Sequence, residues 1–259
     1  MTALFNLTGK NAIVTGATRG IGQAIAEALA AHGANVVISS RRAEACEATA
    51  AAINARSGGR AIPIAASIAS KPDLERLVDG GRKAFGPIDI LICNAATNPY
   101  YGPMLAITDE QFEKVLRNNI LSAHWLAQLV TPEMIQRRDG AIVLISSVGA
   151  YRGSSTIGAY NLSKAADLQL ARNLAVELGP HNVRVNCIAP GLIRTHFSRA
   201  LWENEANASK AVEGIPLRRL GDAQDVAGAA VFLASAAGRY VTGQSIVVDG
   251  GATVTIGGI

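Results

Sequence analysis

The stretch Asn11-Ala12-Ile13-Val14-Thr15-Gly16-Ala17-Thr18-Arg19-Gly20-Ile21-Gly22 joins a short apolar run to an alanine-rich helical pattern through three glycines. A chain that passes from strand to helix in so few residues needs the backbone freedom that glycine gives. Bare backbone at 16, 20 and 22 also lets a pyrophosphate approach, where the amides and positive end of the coming helix meet its charge. The spacing is Gly-x-x-x-Gly-x-Gly rather than Gly-x-Gly-x-x-Gly, and its strand-turn-helix setting points to a dinucleotide. Gly16, Thr18, Arg19, Gly20, Ile21 and Gly22 are the candidate contacts.

The same alternation continues along the chain. Apolar or β-branched runs at 11–15, 35–39, 61–65, 88–93, 141–146, 183–189 and 245–248 alternate with helical patterns at 20–32, 43–56, 71–85, 109–136, 158–179 and 222–235. Repeated strand then helix predicts one α/β domain over 1–259, a Rossmann-type doubly wound parallel sheet of seven strands with helices on both faces. In such a sheet ligands bind beyond the carboxyl ends of the strands, near the point where strand order reverses. The stretch 192–220 has no clear strand and only a weak helix around 199–212, which reads as a lid or pocket wall.

Composition narrows the classes. With 49% hydrophobic and 17% charged residues in 259, the chain can bury a full core, which excludes disorder and fibre readings. Its net charge of +4 is not gathered into runs and does not argue for nucleic acid. Cys46, Cys93 and Cys187 lack paired spacing and fit buried free thiols in a reducing compartment. His32, His124, His181 and His196 show no ligand spacing, so no metal site is predicted. The longest apolar stretches are strand-sized and the first strand starts near residue 11, which predicts an untargeted cytoplasmic protein that does not engage a membrane.

Two further clusters carry chemistry. The acidic residue expected about 20 positions after a glycine loop, to hold the ribose hydroxyls of NAD, is replaced by Ser39-Ser40-Arg41-Arg42. Arg19 and Arg41, with Ser40, can clamp a 2′-phosphate, so NADP(H) is the preferred cofactor and NAD(H) the alternative. In Gly158-Ala159-Tyr160-Asn161-Leu162-Ser163-Lys164, Tyr160 and Lys164 lie at i and i+4 on one helix face. A fixed ammonium beside a phenol lowers the phenol's pKa from about 10 towards working pH, making an acid–base device.

With this glycine loop, Asn94-Ala95 after the fourth strand, Ser147, Tyr160-x-x-x-Lys164 and Pro190-Gly191 in order, the chain resembles the short-chain dehydrogenase/reductase family over essentially its whole length. The resemblance implies that Tyr160 is the general acid–base, that Lys164 lowers its pKa and binds the nicotinamide ribose, and that Ser147 hydrogen-bonds the substrate oxygen. It implies that Asn119, with Asn118 as rival, anchors a proton-relay water. Asn94 and Ala95 join the cofactor set, and Pro190, Gly191, Ile193 and Thr195 resemble the loop that closes over the nicotinamide. Two departures stand out: Cys93-Asn94-Ala95-Ala96 replaces the family's Asn-Asn-Ala-Gly, and Ser67-Ile68 replaces the Asp-Val that bonds adenine. Cys93–Gly102 and Arg184–Trp202 look most like the NADPH-dependent peroxisomal carbonyl and retinol reductases, although Gly257-Gly258-Ile259 lacks their peroxisomal address.

The expected activity is reversible, NADP(H)-dependent hydride transfer to or from a carbonyl or secondary alcohol. Residues 98–101, 148–155 and the 196–215 excursion, with Phe197, Leu201 and Trp202, predict a pocket for a hydrophobic ketone, aldehyde or alcohol, and Arg199 is a candidate for meeting an acid or thioester phosphate. A 3-oxoacyl thioester reductase and an NAD-linked alcohol dehydrogenase are the enzyme alternatives; a non-catalytic nucleotide-sensing scaffold is the alternative of another class. The resemblance also implies a homotetramer built on the helices at 109–136 and 158–179.

Overall fold

A computed structural model describes residues 3–56, 60–203, 209 and 211–255. Seven strands, β1 (Asn11–Thr15), β2 (Asn35–Ser39), β3 (Ala61–Pro63), β4 (Ile90–Cys93), β5 (Gly140–Ile145), β6 (Val183–Pro190) and β7 (Ser245–Val248), form one sheet in the order β3-β2-β1-β4-β5-β6-β7. Every neighbouring pair is parallel. The chain builds outwards from β1 in one direction and, after β3, crosses back to lay β4 on its other side. The strand order therefore reverses between β1 and β4, the point where sheets of this kind bind their ligands. The α-helices are α1 (Gly20–Ala31), α2 (Ala43–Asn54), α3 (Lys71–Phe85), α4 (Asp109–Leu116), α5 (Ser122–Arg137), α6 (Gly158–Leu178), the short α7 (Arg199–Trp202) and α8 (Ala223–Ala234).

Successive strand side chains point to opposite faces, and in this sheet both faces are apolar. Val14, Ile38, Ile92 and Val143 pack into the core beneath α1, α2 and α8. Ile13, Val37, Leu91 and Leu144, their immediate neighbours, pack beneath α3, α5 and α6. Helix starts are fixed locally: Thr108 and Gln111 form a capping box on α4, and Ser70 accepts the Asp73 N–H at the start of α3.

The structure differs from the sequence reading in detail. The strand expected at 61–65 ends at Pro63, on an edge strand where a residue without an N–H is tolerated. The helix expected at 109–136 is interrupted by a π-helical turn at Arg117–Leu121, which carries Asn118 and Asn119. Around 199–212 only Arg199–Trp202, Ser209 and the stretch 211–213 are helical among the described residues; 204–208 and 210, and the side chain of Leu201, lie outside them. No described helix is long and apolar enough to cross a membrane.

Candidate active site

The carboxyl ends of β1 and β4 are tied together. The Asn94 amide donates to the carbonyls of Thr15 (2.9 Å) and Gly16 (3.2 Å), and the Thr15 hydroxyl accepts from the N–H groups of Asn94 (3.1 Å) and Ala95 (3.2 Å). Gly16 has φ +64°, and a Cβ there would lie 2.7 Å from the Asn94 amide nitrogen. Gly22 is equally confined, since a Cβ would lie 2.3 Å from the Gly16 carbonyl oxygen. The glycines thus seat a loop over the start of α1, whose capping residue, Arg19, makes no side-chain cap. The first amides of α1 are left for a ligand. Thr18 and Ile21 complete the loop, both partly open to solvent.

Past β2, Ser40 turns its hydroxyl onto Cys46 Sγ at 3.3 Å. Arg41 is exposed, as is Arg19, and among the described residues neither guanidinium has a partner. α2 also begins without a side-chain cap, so its positive end stands beside Arg41. Both guanidiniums are therefore available to a phosphate. These residues fit the 2′-phosphate of NADP(H), and the loop fits its pyrophosphate.

The chemical end lies past β5 and β6. Ser147 accepts the Gly149 N–H at 3.0 Å, and its side chain lies near enough to Tyr160 to favour the ionised phenol. Lys164, 3% exposed, donates to the Ile145 carbonyl at 2.7 Å and to Asp167 Oδ2 at 3.0 Å, and its nitrogen lies 5.8 Å from the Tyr160 ring centroid. Here one expectation is corrected. Burial pushes the Tyr160 phenol above the usual tyrosine range; Lys164 pulls it down, Asp167 pushes it up again and Ser147 lowers it. Burial likewise pulls the Lys164 ammonium down, but Asp167 and Tyr160 outweigh it and leave it above the usual lysine range. Asp167, on the same face one turn further on, was not singled out in the sequence, although its i+7 spacing from Tyr160 is readable there.

Asn119 supports this centre from the π turn. Its amide nitrogen donates to the Thr97 carbonyl (3.0 Å) and the Ser163 hydroxyl (2.9 Å), and its oxygen accepts the Thr97 N–H (2.8 Å). Ser163 in turn donates to the Tyr160 carbonyl at 2.7 Å. Asn118 is buried too, but it reaches only the Thr97 hydroxyl, at 3.2 Å. Thr97 and Ser163 were missed in the sequence because only the fold brings them to Asn119. Past Pro190, the Gly191 N–H donates to the Val248 carbonyl and Ile193 pairs with Gly221. That path lays Thr195 over Gly20, whose Cβ would meet Thr195 Cγ2 at 3.2 Å. Ser198 and Trp202 hold Thr195 there. Phe197 packs against Tyr160 with ring centroids 5.9 Å apart. Arg199, by contrast, is paired with Glu203 at 2.5 Å on an exposed face. The Ser67 N–H is likewise taken, by Asp73.

Residues 16–253 match the family model described as enoyl-(acyl carrier protein) reductase. The chain is 43% identical over 245 residues to dehydrogenase/reductase SDR family member 4 of Sus scrofa, covering 95% of this chain and 88% of that protein. The chain belongs to the short-chain dehydrogenase/reductase family. Solved structures of other short-chain dehydrogenases/reductases superimpose closely. A gluconate 5-dehydrogenase from Burkholderia cenocepacia, in complex with NADP and tartrate, has a TM-score of 0.93 at 32% identity, covering 98% of this chain and 99% of that one. A 7 alpha-hydroxysteroid dehydrogenase complexed with NADH and 7-oxo glycochenodeoxycholic acid has a TM-score of 0.92 at 37% identity, covering 97% of both chains. This short-chain dehydrogenase/reductase is therefore an oxidoreductase of a family that works with NAD(P)(H).

Proposed function

We propose that the protein is an NADP(H)-dependent reductase that interconverts a hydrophobic ketone or aldehyde and its alcohol. The observation that carries this reading is the convergence of Ser147, Tyr160 and Lys164 beside Phe197, at the same end of the sheet as the unpaired Arg19 and Arg41. The dinucleotide, when bound, supplies the hydride. In the reducing direction Tyr160 gives its proton to the developing alkoxide. Ser147, whose oxygen already accepts the Gly149 N–H, uses its own O–H to hold the substrate oxygen. Lys164 has spent two N–H groups on Ile145 and Asp167, so one is left for a ribose hydroxyl. Asn119 fixes the turn that carries Tyr160 and keeps one lone pair of its oxygen for a relay water.

The described residues of 192–220 serve as the lid in this reading, with Phe197 against Tyr160 and Trp202 bonded to Thr195. The exposed Tyr101 and Phe197 favour an apolar substrate, and the Arg199–Glu203 pair weighs against a thioester phosphate. The subunits assemble as a homotetramer in the cytoplasm. Tyr160→Phe is expected to lower turnover of an apolar carbonyl compound by about 10²–10⁴-fold while NADPH affinity stays near wild type. Wild-type turnover in that variant would exclude Tyr160 as the acid. Arg41→Asp should weaken NADP binding far more than NAD binding, and an unchanged preference would remove the arginine clamp.

A further inference from the structure

Tyr160, Lys164 and Asp167 lie at i, i+4 and i+7 on one face of α6, so a phenol, an ammonium and a carboxylate share a single stripe. Asp167 is 2% exposed, and its Oδ2 accepts from Lys164 Nζ at 3.0 Å. Together with the Ile145 carbonyl, it determines where the ammonium sits and which way its remaining N–H points. A buried carboxylate here also changes the charge that the phenol experiences, because the pair is nearly neutral as a unit where a lone ammonium would be cationic. We propose that Asp167 is a positioning residue of this site: it locks the Lys164 ammonium in place and offsets its charge at Tyr160, which keeps the phenol in its proton-donating form. The proposal rests on the reading of Tyr160 as the acid–base and adds a residue that sets the pH at which the phenol gives up its proton.

The surroundings leave Asp167 as the anion that matters. From β4 and β6 the ionisable groups facing the pair are Cys93 and Cys187, and Cys187 Sγ lies 3.3 Å from the Asp167 carbonyl oxygen. Burial pushes both thiols well above the usual cysteine range, so they stay neutral. Arg172, further along α6, acts on Cys187 and is not among the charges that act on Asp167. Burial raises the Asp167 carboxyl above the usual carboxylate range, against the downward pull of Lys164.

The experiment is a pH profile of kcat/KM in both directions for wild type, Asp167→Asn and Asp167→Glu, with NADPH and an apolar ketone and with NADP and the matching alcohol. Asparagine keeps an acceptor for the ammonium and removes the charge. Removing the anion favours the phenolate, so the alkaline limb of reduction and the rise of oxidation should both move to lower pH, by about one unit or more. Asp167→Glu should return them towards wild type. A purely structural role would lower thermal stability in Asp167→Asn without moving either limb, and that result overturns the proposal, as does a shift to higher pH. Should Asp167→Asn not fold, Asp167→Ser, which also carries an oxygen acceptor and no charge, gives the same neutral test. If Tyr160→Phe keeps its turnover, the acid–base reading itself fails. If Tyr160→Phe is inactive while the Asp167→Asn limbs stay put, only the role of Asp167 fails.

Discussion

Gly22→Ala adds one methyl group to the first turn of α1, at a site where the backbone is unstrained and space is the only obstacle. The new Cβ would lie 2.3 Å from the Gly16 carbonyl oxygen and 2.4 Å from the Asn94 amide nitrogen. Neither neighbour can yield cheaply. The Gly16 carbonyl belongs to a loop held at φ +64°, and the Asn94 amide is committed to two carbonyls, at 2.9 and 3.2 Å. Overpacking costs about 1–3 kcal/mol, and losing the two hydrogen bonds costs about 1 kcal/mol each. Alanine's better helix propensity returns about 1 kcal/mol, which leaves a net loss of about 2–4 kcal/mol. For a chain of this size that lowers Tm by on the order of 10 °C, measured by circular dichroism without added nucleotide. NADPH titration should show at least a tenfold weaker Kd, equivalent to about 1.4 kcal/mol of displaced loop. Gly228→Ala makes the control. Gly228 lies exposed within α8 with nothing within 4 Å of its would-be Cβ, so alanine should stabilise by up to about 1 kcal/mol. A Gly22→Ala protein with wild-type Tm and nucleotide affinity would refute the packing argument.

Two other outcomes follow from the geometry. Asp225 caps the start of α8 and holds Arg219 in a two-pronged pair at 2.6 and 2.9 Å; the Arg219 and Asp222 hydrogen bonds lower its pKa to about 2. A depressed carboxylate stabilises fully above its unfolded value of about 4 and loses that contribution as pH falls through about 2. The Tm difference between wild type and Asp225→Asn should therefore be constant from neutrality to about pH 4 and vanish near pH 2; a difference that persisted at pH 2 would rule this out. Phe197→Ala should raise KM for a bulky apolar carbonyl roughly tenfold, through about 1–2 kcal/mol of lost apolar contact, while leaving a small aldehyde little affected. Equal effects on both substrates would show that Phe197 is not part of the pocket.

Much of the site was legible because it is built from local spacings. The three glycines announced a tight turn before a helix, and Tyr160 and Lys164 share a helix face by virtue of their spacing alone. The order of strand and helix signals was likewise enough to foresee a parallel sheet. Boundaries were less readable: nothing in the apolar periodicity of 109–136 betrays the π turn at Arg117–Leu121, which depends on how Asn119 is held by Thr97 and Ser163.

The sequence by itself determined the fold class, the dinucleotide loop and the chemical groups of the centre, because each rests on short-range periodicity or backbone sterics. The tertiary structure decided what those groups experience. The phenol was expected to be pulled down by Lys164, yet burial outweighs the ammonium and Asp167 offsets it. Arg199, a candidate for an anionic ligand in the sequence, meets Glu203 one turn further along its own segment. Asn94 reads as a cofactor contact in the sequence, and in the fold its amide also braces β1 against β4. Burial, charge pairing and hydrogen-bond commitment are sums over neighbours distant in the chain, and no local spacing encodes them.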